Sequence, residues 1–142
     1  MNKRRWQLNK DYPTLEYWFK LHKFDSPIPK DILPELGIII EDICAAGLYT
    51  DKSSKLGYMY GIFSNPKVGK MKLYRAMKLS LEAVKELANS KGIEIIITHT
   101  AEKALEKLYT KHGNMKLVEN NVNQYIMNLN EDKYTNLDWI SK

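Results

Sequence analysis

Apolar residues along this chain keep two different periods, and the switches between them mark the elements. Arg4 to Leu8 reads as a short first strand, and after Asp11-Tyr12-Pro13 the residues Leu15, Trp18, Phe19 and His22 fall at helical spacing. Pro27, Pro29 and Pro34 then make the next stretch a loop with at most one short helical turn. "LGIIIEDICAAGLYT" is a compact apolar run of strands with a break near Glu41-Asp42. Ile43 to Tyr49 pairs with Leu56 to Phe63 as a hairpin across the polar "DKSSK". From Lys70 to Ser90, Tyr74, Met77, Leu81, Val84 and Ala88 step by three and four, which predicts a long amphipathic helix that Lys91-Gly92 ends.

Ile93 to Thr98 is a short, strongly apolar run of the kind that occupies a sheet centre. Thr100 caps a following helix with a buried stripe of Ala101, Ala104, Leu105 and Leu108, closed by Gly113. Residues 115–129 alternate around Asn120-Asn121 as a last hairpin, and residues 131–142 form a polar tail carrying Tyr134, Leu137, Trp139 and Ile140. The order predicts an α+β domain over residues 1–142, with a mixed, mainly antiparallel central sheet of about six to seven strands flanked by helices. One helical crossover, from Leu56–Phe63 to Ile93–Thr98, joins parallel neighbours.

Charge adds a feature that periodicity does not show. The formal net charge is +5, and residues 67–91 carry all of it: Lys67, Lys70, Lys72, Arg75, Lys78, Lys85 and Lys91 face only Glu82 and Glu86. No apolar run is long enough to span a bilayer, and the basic start "MNKRRWQLN" has no apolar segment behind it, so neither a membrane span nor a signal peptide is expected. The single cysteine, Cys44, lies in an apolar stretch and reads as a buried thiol in a reducing, cytoplasmic setting. His22, His99 and His112 are too far apart for metal-ligand spacing, so no metal site is expected.

The strand-loop-helix at "YGIFSNPKVGKMKLYRAMK" and the later "IIITHTAEKALEKLYTKHG", in this element order, resemble the GNAT N-acetyltransferase superfamily. The resemblance implies an acetyl-CoA-dependent N-acetyltransferase acting on an amine-bearing acceptor. It implies that the loop and helix start, through Lys67, Val68, Gly69, Lys70, Lys72 and Tyr74, hold the coenzyme A pyrophosphate. The family's loop has more glycines; here Gly69 stands for one, and Met71 or Lys72 and Leu73 occupy the other positions. The matching of Leu108, Tyr109, Lys111 and Gly113 to the family's Leu-Tyr-x-Lys-x-Gly pattern implies that Tyr109 protonates the leaving thiolate. Backbone amides at Ile62 and Phe63 are the implied oxyanion donors, and Thr98 an implied contact to the pantetheine arm.

The strand from Leu56 to Phe63 holds no Asp or Glu, so Glu41 is the nearest candidate for a general base. An alternative stands beside the enzyme: a protein of this fold that has lost catalysis and serves as a module for binding protein or nucleic acid. The Lys67–Lys78 face, with Tyr58, Tyr60 and Tyr74 for stacking, is its nucleic-acid surface. Trp139 covers either a core edge or the partner in a homodimer.

Overall fold

The computed structural model describes residues 1–23, 27–100, 102–120 and 125–135. Five strands form one sheet in chain order: β1 (Lys3–Arg5), β2 (Leu36–Ile40), β3 (Cys44–Thr50), β4 (Leu56–Ser64) and β5 (Ile95–Ile97). The first four pair antiparallel, and β5 runs parallel to β4. Helix α1 (Leu8–Leu21) connects β1 toward β2, α2 (Lys70–Ser90) is the crossover from β4 to β5, and α3 (Lys103–His112) follows β5.

Alternation along the strands divides the apolar residues between two faces. Ile38, Ile40, Cys44, Ala46, Leu48 and Met59 pack against Leu81, Val84 and Leu87 of α2 and against Leu108 and Tyr109 of α3. Trp6, Ile39 and Ala45 pack on the other face with Leu15, Trp18 and Phe19 of α1. Cys44 is completely buried, and burial pushes its thiol up to about 12, which keeps it protonated and inert.

Trp6 follows β1 instead of continuing it. Its backbone N–H donates to the Gly37 carbonyl at 2.9 Å and its indole N–H to the Glu35 carbonyl at 3.0 Å. The ring lies over Gly37 and Gly47, which face each other across β2 and β3. The helix then begins at Leu8, ahead of Pro13 and not after it. Buried Asp11 explains the early start. Its carboxylate accepts the Gln7 N–H at 2.7 Å and both arms of the Arg4 guanidinium at 2.7 and 2.9 Å, so the first turn is tied to β1. The Arg4 guanidinium holds the Asp11 carboxyl below the usual carboxylate range.

Two expectations from the pattern are corrected. The sheet has five strands among the described residues, not six to seven, because residues 115–120 and 125–129 form no ladder and leave Leu117, Val118, Tyr125, Met127 and Leu129 exposed. Alternation marks residues that suit a strand, but a strand exists only with a hydrogen-bonded partner. Asn121 of the expected turn, and Ala101 and Trp139, lie outside the described residues. Secondly, β5 is at the sheet edge: Ile95 is 61% and Ile97 50% exposed, since nothing among the described residues pairs on its outer side.

Candidate active site

The site begins where β4 and β5 part. Their parallel ladder runs through Leu56↔Ile95, Gly57↔Ile96 and Tyr58↔Ile97 and then stops. The next link is made by a side chain: Thr98 Oγ1 donates to the Met59 carbonyl at 2.9 Å. Beyond it, β4 continues to Ser64 paired, among the described residues, with β3 alone, so its other edge from Tyr60 to Phe63 faces a split. A bulge sits at the same point. The register passes from Leu48↔Met59 to Gly47↔Gly61, which leaves Tyr60 as an extra residue and Gly61 at φ +140°, where a side chain would be strained.

Tyr109 reaches this split from α3. It is 5% exposed, and its hydroxyl has no hydrogen-bond partner among the described residues. The Thr98 hydroxyl is close enough to favour the phenolate slightly, but its own proton goes to Met59. Burial dominates and pushes the Tyr109 phenol up to about 12, so it stays a protonated donor. Buried polar groups in folded proteins are nearly always satisfied, so the Tyr109 O–H stands out as a donor still free to bond.

The loop from β4 to α2 is organised by Asn65, a residue that periodicity does not flag. Its N–H and Nδ2 reach back to the Ile43 and Asp42 carbonyls at 2.9 and 3.0 Å. Its Oδ1 and carbonyl accept the N–H groups of Lys67 and Val68 at 3.0 and 3.2 Å. Those two amides are therefore spent. The amides of Gly69, Lys70, Met71 and Lys72 meet no acceptor among the described residues, and no side chain caps the helix. With the helix dipole behind them, these N–H groups have the arrangement that could hold an anion.

Gly69 has φ −62°, and a Cβ there would meet nothing within 4 Å, so a ligand has room to approach. Lys70, Met71, Tyr74 and Arg75 line an open depression beside these amides, with Tyr74 edge-on to His112 at 5.7 Å. Lys67 is turned away, its ammonium bonded to the Tyr17 hydroxyl at 2.9 Å and placed over that ring. Lys70, Lys72 and Arg75 remain as the cations of the site. Glu41 lies in the β2–β3 turn in an ion pair with Arg4, near the Ser64 end of β4 and away from Tyr58 and Thr98. Among the described residues, no group of three or more His, Cys, Asp or Glu side chains is placed to hold a metal, and no helix is long and apolar enough to cross a membrane.

No protein-family model and no curated protein matches the chain. Solved structures do. An aminoglycoside acetyltransferase from an uncultured soil metagenomic sample, crystallised with sisomicin, is 14% identical, with 90% of this chain and 95% of that chain covered at a TM-score of 0.59. The ribosomal-protein-S18-alanine N-acetyltransferase of Escherichia coli is 15% identical over 79% of this chain and 76% of that one, at 0.57. A structure described as a probable acetyltransferase is 12% identical over 91% and 98%, at 0.56. The chain has the GNAT acetyltransferase fold. Within this GNAT sheet, Tyr109, Thr98 and the Ile62–Phe63 edge of β4 converge on the β4–β5 split, and the free amides lie at the N-terminus of α2. Several sequence-derived candidates are already engaged: Glu41 by Arg4, Lys67 by Tyr17, the Val68 amide by Asn65 and the Thr98 proton by Met59.

Also at the split is a pair that spacing along the chain does not reveal. Tyr58 Oη lies 2.9 Å from His99 Nδ1, with the two rings tilted over one another at 5.5 Å. The residues are distant in sequence and meet only because Tyr58↔Ile97 is the last rung of the ladder.

Proposed function

We propose that the chain is an acetyl-CoA-dependent N-acetyltransferase that acts on an amine. The observation that carries this reading is the unpartnered, buried Tyr109 hydroxyl at the split between β4 and β5. A leaving thiolate is the kind of atom such a donor would satisfy. Two of the similar structures are acetyltransferases of an aminoglycoside and of a ribosomal-protein alanine, which supports an amine as the acceptor.

Acetyl-CoA, when bound, supplies an activated acyl carbonyl and a sulfur leaving group. The amides of Gly69 to Lys72, with Lys70, Lys72 and Arg75, would bind the phosphates. Thr98 makes the last bridge between the two strands, to the Met59 carbonyl, and so marks where the split begins. Asn65 bonds to Ile43, so the Phe63 N–H falls on the β3 side and the Ile62 N–H on the free edge, where it would face the developing oxyanion; Tyr109 would deliver a proton to sulfur.

Calorimetric titration with coenzyme A tests this reading. Saturable binding by the natural chain is expected, with loss of that binding in Gly69→Trp. The substitution leaves the thermal melt unchanged, because the position is open and its φ suits any residue. No binding at millimolar coenzyme A overturns the enzyme and leaves a binding module of the same fold.

A further inference from the structure

The acetyltransferase reading supplies an acid but no base, since Glu41 is held by Arg4. The face of the sheet opposite Tyr109 has a candidate. Tyr109 belongs to the core on the α2–α3 side. Tyr49, Tyr58, Tyr60 and Phe63 form a run of ring contacts on the α1 side, with neighbouring centroids 5.8 to 6.1 Å apart from Tyr58 through Tyr49 and Tyr60 to Phe63. His99 continues that run across the mouth of the split, one residue past Thr98. Acid and base would thus flank the split from opposite sides, with the Met59–Thr98 link between them.

Tyr58 Oη is 2.9 Å from Nδ1 and 3.3 Å from Nε2 of His99. In the tautomer protonated at Nδ1, that N–H donates to the phenol oxygen and Nε2 keeps a lone pair. The ionisable groups around this pair are tyrosines (Tyr49 on β3, Tyr60 on β4 and Tyr109 on α3) together with Glu102 at the start of α3, which acts on Tyr109. Among the described residues no carboxylate takes part in the hydrogen bonds or ring contacts of the wall, which offers aromatic faces and not a site for many positive charges.

We propose that His99, oriented by Tyr58, is the base on the acceptor side, and that the acceptor is a primary amine carried on an aromatic or apolar body. The inference rests on the acetyltransferase reading. The acceptor ammonium gives a proton to His99 Nε2, and the freed lone pair forms the new C–N bond. The C–S bond breaks with its electrons on sulfur, and Tyr109 Oη protonates the sulfur. The second proton on nitrogen leaves to water, and the His99 and Tyr109 protons re-equilibrate through solvent.

Two amine probes separate a base from a structural residue. Benzylamine is an ammonium at neutral pH and needs a base; hydroxylamine is already unprotonated. With acetyl-CoA as donor, His99→Gln is expected to lower kcat for benzylamine at least about tenfold and to leave hydroxylamine within about twofold. Tyr58→Phe is expected to give a smaller loss with the same selectivity, in kcat and not KM, as a positioning residue would. Added imidazole is expected to restore part of the benzylamine rate in His99→Ala. Equal losses for both amines, no loss, or transfer to neither amine by a natural chain that binds coenzyme A overturns the inference. Failure of the natural chain to bind coenzyme A is a different result, and removes the acetyltransferase reading together with the base that depends on it.

Discussion

Tyr109→Phe is expected to lower kcat about a hundredfold while the protein melts at or above the natural temperature. Loss of a positioned proton donor costs on the order of 10²–10⁴ in rate. Loss of a hydroxyl that is buried without a partner removes a desolvation penalty of about 1–3 kcal/mol. The two effects have opposite signs, and a tyrosine that merely filled the core would show the gain without the rate loss. Steady-state kinetics and a thermal melt on the same preparation check both. Unchanged kcat would remove Tyr109 from the chemistry.

The pH dependence has a definite sign. Burial pushes the phenol up to about 12, so Tyr109 keeps its proton through neutral and mildly alkaline pH, and the rate shows no alkaline fall from this group below about pH 10. The stability linked to the shift is fully present below the ordinary tyrosine value. It is lost as pH rises from there through the folded value, because the unfolded chain releases its proton first. Tyr49, also pushed up to about 12, and Tyr60, raised by burial and by its tyrosine neighbours, add to the same alkaline loss.

Gly37→Ala is expected to destabilise the fold by about 3 kcal/mol, a drop of more than about 10 °C in Tm. The added Cβ would fall 2.1 Å from Trp6 Cε2 and 2.4 Å from Cδ2, which no side-chain adjustment of a methyl group relieves. The indole has nowhere to go. Gly47 on the next strand backs it, with Pro34 from the loop before β2 at the same glycine, its own N–H is bonded to Gly37, and its ring N–H is bonded to Glu35. Urea unfolding followed by tryptophan fluorescence measures the loss. A cost under about 1 kcal/mol would show that Trp6 can leave the glycine pair without consequence.

The legible and illegible parts of this chain differ in the range of the interaction that decides them. Helix α2 has the bounds that the steps of three and four imply, and Gly92 ends it at φ +73° because that conformation suits glycine. The β3–β4 hairpin is legible for the same reason, as a local pattern. The glycine pair beneath Trp6 depends on the β2–β3 register, and the early start of α1 on an ion pair between Arg4 and Asp11. Neither leaves a periodic trace. The bulge at Tyr60–Gly61 breaks the alternation count, so that Ile62 joins the α2 side and Phe63 the α1 side, the reverse of what counting from Tyr58 gives. For the site, Tyr109 and the helix start were within reach through a known family pattern. Asn65 and the Tyr58–His99 pair were not, because their roles arise from contacts between separate elements.

The chain-order arrangement of the sheet also bears on how the molecule assembles. The β2–β3–β4 meander closes through short connections, so its pairings carry little loop-closure entropy. Both outer strands are costlier: Lys3 must find Ile40 across α1, and Tyr58 must find Ile97 across α2. Non-local pairings form late, and the three rungs joining β4 to β5 give little to set against their closure cost. The meander is therefore expected to precede the site during refolding. In pulse-labelling hydrogen exchange, amides of β3 should gain protection before those of β5, and simultaneous protection would show that sheet and split form in one step.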